Sequence, residues 1–159
     1  MLNTLNPQWN EQYTWVEEVI FFARGDYIQA KRYIEHDIVS HFEQFCDWMR
    51  SCYSRNFTHL VQDAESFHSQ TKDYQKVFFA DVLRLVDIIL ECKVLHKKPR
   101  LGRISEFVEN FQKVIAFDQI QYMTQLFNQG YDHLGKNANA KMVYMHISLE
   151  IARMFHPLG

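Results

Sequence analysis

Residues 42–55 read FEQFCDWMRSCYSR, and the fold class turns on whether this run is a reactive site or the inner face of a helix. Ile38, Phe42, Phe45, Met49 and Cys52 recur at alternating spacings of four and three, which predicts one apolar helical stripe. Val39, Cys46 and Tyr53 are expected to widen it, and Glu43, Asp47, Arg50 and Ser51 to fall outside it. The two cysteines, Cys46 and Cys52, stand six residues apart. In a helix that separation is about 600° of rotation and about 9 Å of rise, so the thiols point roughly 120° apart. They cannot share one zinc ion, and they are too distant for a disulfide. Packing is therefore the expected role of both, and Cys92 reads the same way.

The same periodicity extends outward. Trp9, Tyr13, Val16, Ile20 and Ala23 share a face that Gly25 closes at a C-cap position. Tyr27, Ala30 and Ile34 are expected inward on a short helix. Phe57, Leu60, Val61, Ala64 and Phe67 mark another after the break at SRN. The longest helix is predicted from about Lys72 to His96, with a narrow polar stripe of Asp81, Arg84, Asp87 and Glu91. A helix apolar on most sides is a central one. KKPRLGR, with Pro99 and Gly102, is expected to end it. Ile104, Phe107, Val108, Phe111 and Ile115 give a further helix. Asp118 with Gln121 resembles a capping box opening the next, with Ile120, Met123, Phe127 and Leu134 inward. The asparagines of NANAK cap the last helix, KMVYMHISLEIARMF, which Pro157 stops; HISLEI alternates briefly like a strand, but the surrounding length favours helix.

Composition agrees with that pattern. The 159 residues are 47% apolar and 15% aromatic, and five glycines with three prolines cannot punctuate an all-β fold. A chain of this length buries roughly 70% of its unfolded surface without staples. The expected architecture is an all-α, compact bundle of seven to eight helices. A net charge of −2 exerts no global pull on nucleic acid or an anionic membrane. Three widely spaced cysteines fit a reducing compartment. The N-terminal MLNTLNPQWNEQ lacks signal-peptide features, and the apolar segment 77–95 carries a charge in nearly every turn, against a membrane span. A cytoplasmic protein is expected.

Candidate chemistry is sparse. Glu65 and His68 have the Glu-x-x-His spacing of carboxylate-bridged metal bundles, but no second copy exists in the sequence. The tripeptide Arg24-Gly25-Asp26 reads as one helix ending and another starting. Lys93, His96, Lys97, Lys98, Arg100 and Arg103 form a basic cluster that could touch phosphates, although cations at a helix C-terminus complement its dipole unaided. The sequence holds no phosphate-cradling loop and no nucleophile motif, so neither an enzyme nor a cofactor is expected. A helical domain sensing a small ligand, with Trp9, Trp15 and Tyr122 around a pocket, is the alternative.

Four stretches, FARGDYIQAKRYI, FEQFCDWMRSCY, KDYQKVFFADVLRLVDIIL and HLGKNANAKMVYMHISLEI, lie in order across most of the chain. Together they resemble the C-terminal part of bacterial DNA polymerase III delta-prime subunits, the stators of clamp loaders. The family elements fall on Trp48, Met49 and Arg50, on Gln75 and Lys76, and on Asn137, Asn139 and Lys141. Gly135 and Lys136 stand where the family has Glu-Arg, and Ile28 occupies the arginine position of the Gly-x-x-Arg element that can sense nucleotide. The resemblance implies a lid end over residues 1–36 and a collar domain over 37–159. It further implies a non-catalytic role in DNA replication, with delta and gamma/tau subunits as partners and DNA and the sliding clamp met only through the full complex.

Overall fold

The computed structural model describes residues 19–20, 23–35, 38–96 and 102–157, apart from the side chains of 33–35 and 102–104. Among these residues seven helices and no strand occur: α1 (Tyr27–Glu35), α2 (Ile38–Ser54), α3 (Phe57–Ser69), α4 (Lys72–Leu95), α5 (Gly102–Val114), α6 (Phe117–Gly135) and α7 (Ala140–Phe155). The described residues are all-helical, as expected. No helix among the described residues is long and apolar enough to cross a membrane.

Two helices organise the rest. The 24-residue α4 packs on α2, α5 and α6, and α7 packs on α2, α3 and α6. The central place expected for α4 is thus observed. Ile38, Phe42, Phe45, Met49 and Cys52 of α2 are all buried, as their spacing predicts. Trp48 joins them and sits 1% exposed among the rings of Phe78, Phe79, Phe127 and Tyr144.

The helix ends follow local chemistry. The Asp26 carboxylate accepts from the backbone of Ile28 and Gln29, while Arg24 and Gly25 adopt positive φ. The Arg-Gly-Asp tripeptide is thus the break before α1. Asn56, Thr71 and Asn139 cap α3, α4 and α7 by accepting from the backbone N–H three residues on. The end of α6 is a Schellman turn: Ala138 N–H reaches His133 O, Asn137 N–H reaches Leu134 O, and Asn137 takes φ +61°.

Several expectations are corrected. The α4 helix ends where expected, at Leu95 with His96 in the left-handed region, but Gly102 begins α5 instead of ending α4. The α6 helix starts at Phe117, where Gln119 Oε1 accepts from Ala116 N–H; the side chain of a neighbouring residue, not the Asp118–Gln121 pair, closes that end. Tyr27, Tyr53, Phe57 and Val61 are exposed; Tyr53 lies at the rim of the bundle, its ring edge-on to Phe155 at the end of α7. Ser51 and Asp81, expected on polar faces, are buried because each meets a histidine.

Gly130 shows how tightly the bundle closes. A Cβ there would lie 2.5 Å from the Phe79 ring and 2.8 Å from Ile147. The missing side chain lets α6 approach α4 and α7. Gly130→Ala gains about 1 kcal/mol of helix propensity but drives a methyl group into an aromatic face, which costs about 1–3 kcal/mol or more. The clash wins, so net destabilisation is expected in chemical denaturation. At Gly135 a Cβ meets nothing within 4 Å, and Gly135→Ala is expected to be neutral or slightly stabilising. Equal effects at both positions would show that close approach is not what Gly130 provides.

Candidate interaction site

The motif residues are divided between interior and surface. The Trp48 ring stacks on Tyr144 with centroids 4.1 Å apart and planes 10° apart. Its indole N–H donates to Ser148 Oγ at 2.8 Å, and that hydroxyl donates to the Tyr144 carbonyl at 2.7 Å. The polar end of the largest buried side chain is therefore satisfied. Met49 is buried beside it. Arg50 points outward, bonded to Asp47 at 2.8 Å with its guanidinium 5.5 Å from the Phe107 ring centre.

Gln75 acts as a clamp. Its buried amide nitrogen lies 3.2, 3.4 and 3.1 Å from the carbonyl oxygens of Phe67, His68 and Gln70. These carbonyls belong to the end of α3, where the helix leaves acceptors unpaired. The first turns of α4 thus satisfy the last turn of α3. Lys76 stands 5.6 Å from the Tyr131 ring centre, on the α4–α6 side. Asn137 and Asn139 form the α6–α7 corner described above. Lys141 donates to Glu65 at 2.8 Å, and this bond holds the Glu65 carboxyl below its usual range.

The same ion pair bears on the Glu-x-x-His spacing. Glu65 and His68 are both exposed on α3, and among the described residues no three His, Cys, Asp or Glu side chains converge as metal ligands. Of the basic cluster, Lys93 donates to the Gln112 carbonyl at 2.8 Å and joins α4 to α5. Lys97, Lys98 and Arg100 lie outside the described residues, as does the Arg103 side chain. Tyr122 is half-buried, and its hydroxyl donates to Glu150. Trp9 and Trp15 lie outside the described residues.

The three cysteines are buried thiols that form no disulfide. Burial pushes the Cys46 and Cys52 thiols up to about 12, with smaller opposing influences from Arg50 on Cys46 and Ser148 on Cys52. The thiolate is the reacting form, so roughly one molecule in ten thousand carries it at pH 8 for such a group. Iodoacetamide at pH 8 is expected to leave both unmodified in the native protein and to label both in denaturant, as read by mass spectrometry. Rapid native labelling would contradict the packing described.

Two polar pairs could not be read from one helix alone. His41 Nδ1 meets Asp81 Oδ2 at 2.6 Å, with the side chains only 6% and 8% exposed. Ser51 Oγ lies 2.8 Å from His59 Nδ1 across the α2–α3 turn. At the same end Arg55 donates to the His156 carbonyl and the His156 ring donates to the Tyr53 carbonyl, tying α7 to that turn.

No family model, curated protein or solved structure matches the chain.

Proposed function

We propose that this chain is the C-terminal collar region of a DNA polymerase III delta-prime subunit, a non-catalytic module that assembles with delta and gamma/tau subunits for clamp loading. One observation carries the reading: each of the eight residues on which the resemblance rests takes part in holding the helices together. Trp48 and Met49 lie in the core, Gln75 clamps the α3–α4 turn, Asn137 and Asn139 shape the α6–α7 corner, and Arg50, Lys76 and Lys141 reach partners on the surface. A collar works by rigid helix presentation, and such residues supply rigidity.

Exposed apolar side chains support the docking part of the proposal. Phe117, Val114, Met142 and Leu149 are all large and solvent-facing, the kind of residue that anchors subunit interfaces. Ile28, at the family's nucleotide-sensing position, is exposed and carries no charge for a phosphate, which suits a stator that does not read nucleotide.

The test is co-elution of the purified chain with collar regions of delta and gamma/tau subunits from the same organism. Association at on the order of ten micromolar is expected, since a collar contact of standard size holds at least that well. Failure to associate with either subunit removes the proposal.

A further inference from the structure

Four helices line an open-mouthed cavity of about 260 Å³ that takes no part in the collar reading and stands independently of it. Asp47 comes from α2, Asp63 and Phe67 from α3, Tyr74 and Phe78 from α4, and Tyr144 from α7. No lysine or arginine is among its lining residues, which include two carboxylates. The nearest cations lie outside the lining or are weak: Arg50 pairs with Asp47 on the exposed surface, and His59 Nδ1 stands 3.3 Å from Asp63. Phe67, Tyr74, Phe78 and Tyr144 give the lining its rings, and Gln44, Ser66 and Gln70 give it neutral polar groups. Tyr74 and Phe78 stack with planes 8° apart, and Phe67 lies against Phe78 at 5.6 Å.

Tyr144 supplies a second, independent observation. It is 5% exposed and lines the cavity, its ring is fixed by stacking on Trp48, and its hydroxyl has no hydrogen-bond partner among the described residues. A buried hydroxyl without a partner is costly and uncommon. Here the cavity is where a partner can stand. A hydroxyl accepts as readily as it donates, so a donor entering beside Asp63 would satisfy both groups.

We infer that this cavity binds a primary alkylammonium group, held by Asp63 and Asp47, flanked by aromatic faces and donating a hydrogen bond to Tyr144. An ammonium carries three donors and is attracted to the faces of aromatic rings. The volume lies below the range of drug-sized pockets, which fits a small amine. Burial raises the Asp63 carboxyl above its usual range, His59 opposes this and Asp47 adds to it; a cation between the two acids relieves both unfavourable influences. Two sources offer this group: a free diamine, and a lysine side chain of another protein.

The experiment titrates the purified chain by calorimetry with 1,4-diaminobutane and with lysine blocked at both its α-amino and carboxyl groups, each at matched ionic strength. The chain is expected to bind at least one at about millimolar affinity or better. Binding by both assigns a free amine. Binding by blocked lysine alone assigns a protein side chain. Asp63→Asn is expected to weaken binding roughly tenfold, as loss of a half-buried charge partner does. Tyr144→Phe, which removes only the hydroxyl, is expected to weaken it about three- to tenfold. Asp87→Asn, on an exposed carboxylate that does not line the cavity, is expected to bind as the parent chain does. Circular dichroism verifies the fold of each variant. No binding by either probe, or binding indifferent to both Asp63→Asn and Tyr144→Phe, overturns the inference.

Discussion

Trp48→Ala is expected to lower the unfolding free energy by about 4–5 kcal/mol, the upper part of the range for deleting a buried tryptophan. Three features put it there. The side chain is 1% exposed, so its whole transfer free energy is at stake. It stacks closely on Tyr144 and meets Phe127 edge-on at 5.5 Å, contacts worth about 0.5–1.5 kcal/mol each beyond area. Its neighbours are rings on α4, α6 and α7, which cannot all collapse into the vacated space without moving helices. Since domains are stable by about 5–15 kcal/mol, the variant should be largely unfolded near 37 °C. Trp48→Phe keeps a ring but leaves Ser148 Oγ without its donor, and about 1–2 kcal/mol is expected. Urea denaturation followed by far-ultraviolet circular dichroism measures both. A loss below about 1 kcal/mol for Trp48→Ala would place the organising centre of the bundle elsewhere.

The part of this core that lies along one helix was legible in the sequence. The stripe from Ile38 to Cys52 is a within-helix periodicity, and burial follows it residue by residue. Polar residues in the same register were harder to place. His41 stands three residues after Ile38 and four before Phe45, and Asp81 stands three after Phe78 and four before Leu85; all four apolar neighbours are buried. Each polar residue therefore occupied a core register, but its partner lies 40 residues away, and periodicity carries no information across helices. The exposed Tyr53 and Phe57 show the reverse error. They stand at the end of α2 and the start of α3, where a residue in apolar register reaches the rim of the bundle and is covered on one side at most.

The site was less legible than the fold. The positions that carry the family resemblance could be named, but their roles could not. Gln75 gives no hint in the sequence that its amide will close the preceding helix, because the carbonyls it serves lose their regular helical donors only once α3 stops at Ser69. The cavity beside Asp63 was invisible for a similar reason. Its lining comes from four helices, and nothing in the run KMVYMHISLEIARMF singles out Tyr144.

Asp81→Ala is the second substitution expected to have a large effect, a loss of about 3–5 kcal/mol. The His41 ring stays boxed edge-on against Tyr74 at 5.2 Å and Phe78 at 5.5 Å, so neither water nor another side chain easily replaces the carboxylate. Removing one member of a buried pair leaves the other with its desolvation cost and without compensation. Asp81→Asn retains a hydrogen-bonding group in nearly the same volume and is expected to cost about 1–2 kcal/mol. The informative variant is the double substitution His41→Leu with Asp81→Val. It removes both polar groups and fills the space with apolar atoms, an exchange that is often neutral or stabilising for a buried pair. It is expected to be more stable than Asp81→Ala alone by about 2 kcal/mol or more, even though it carries more changes. Guanidinium denaturation of the parent, both Asp81 variants and the double variant measures the order. If the double variant is instead the least stable, the pair contributes net stability through its own attraction, and the desolvation argument fails at this position.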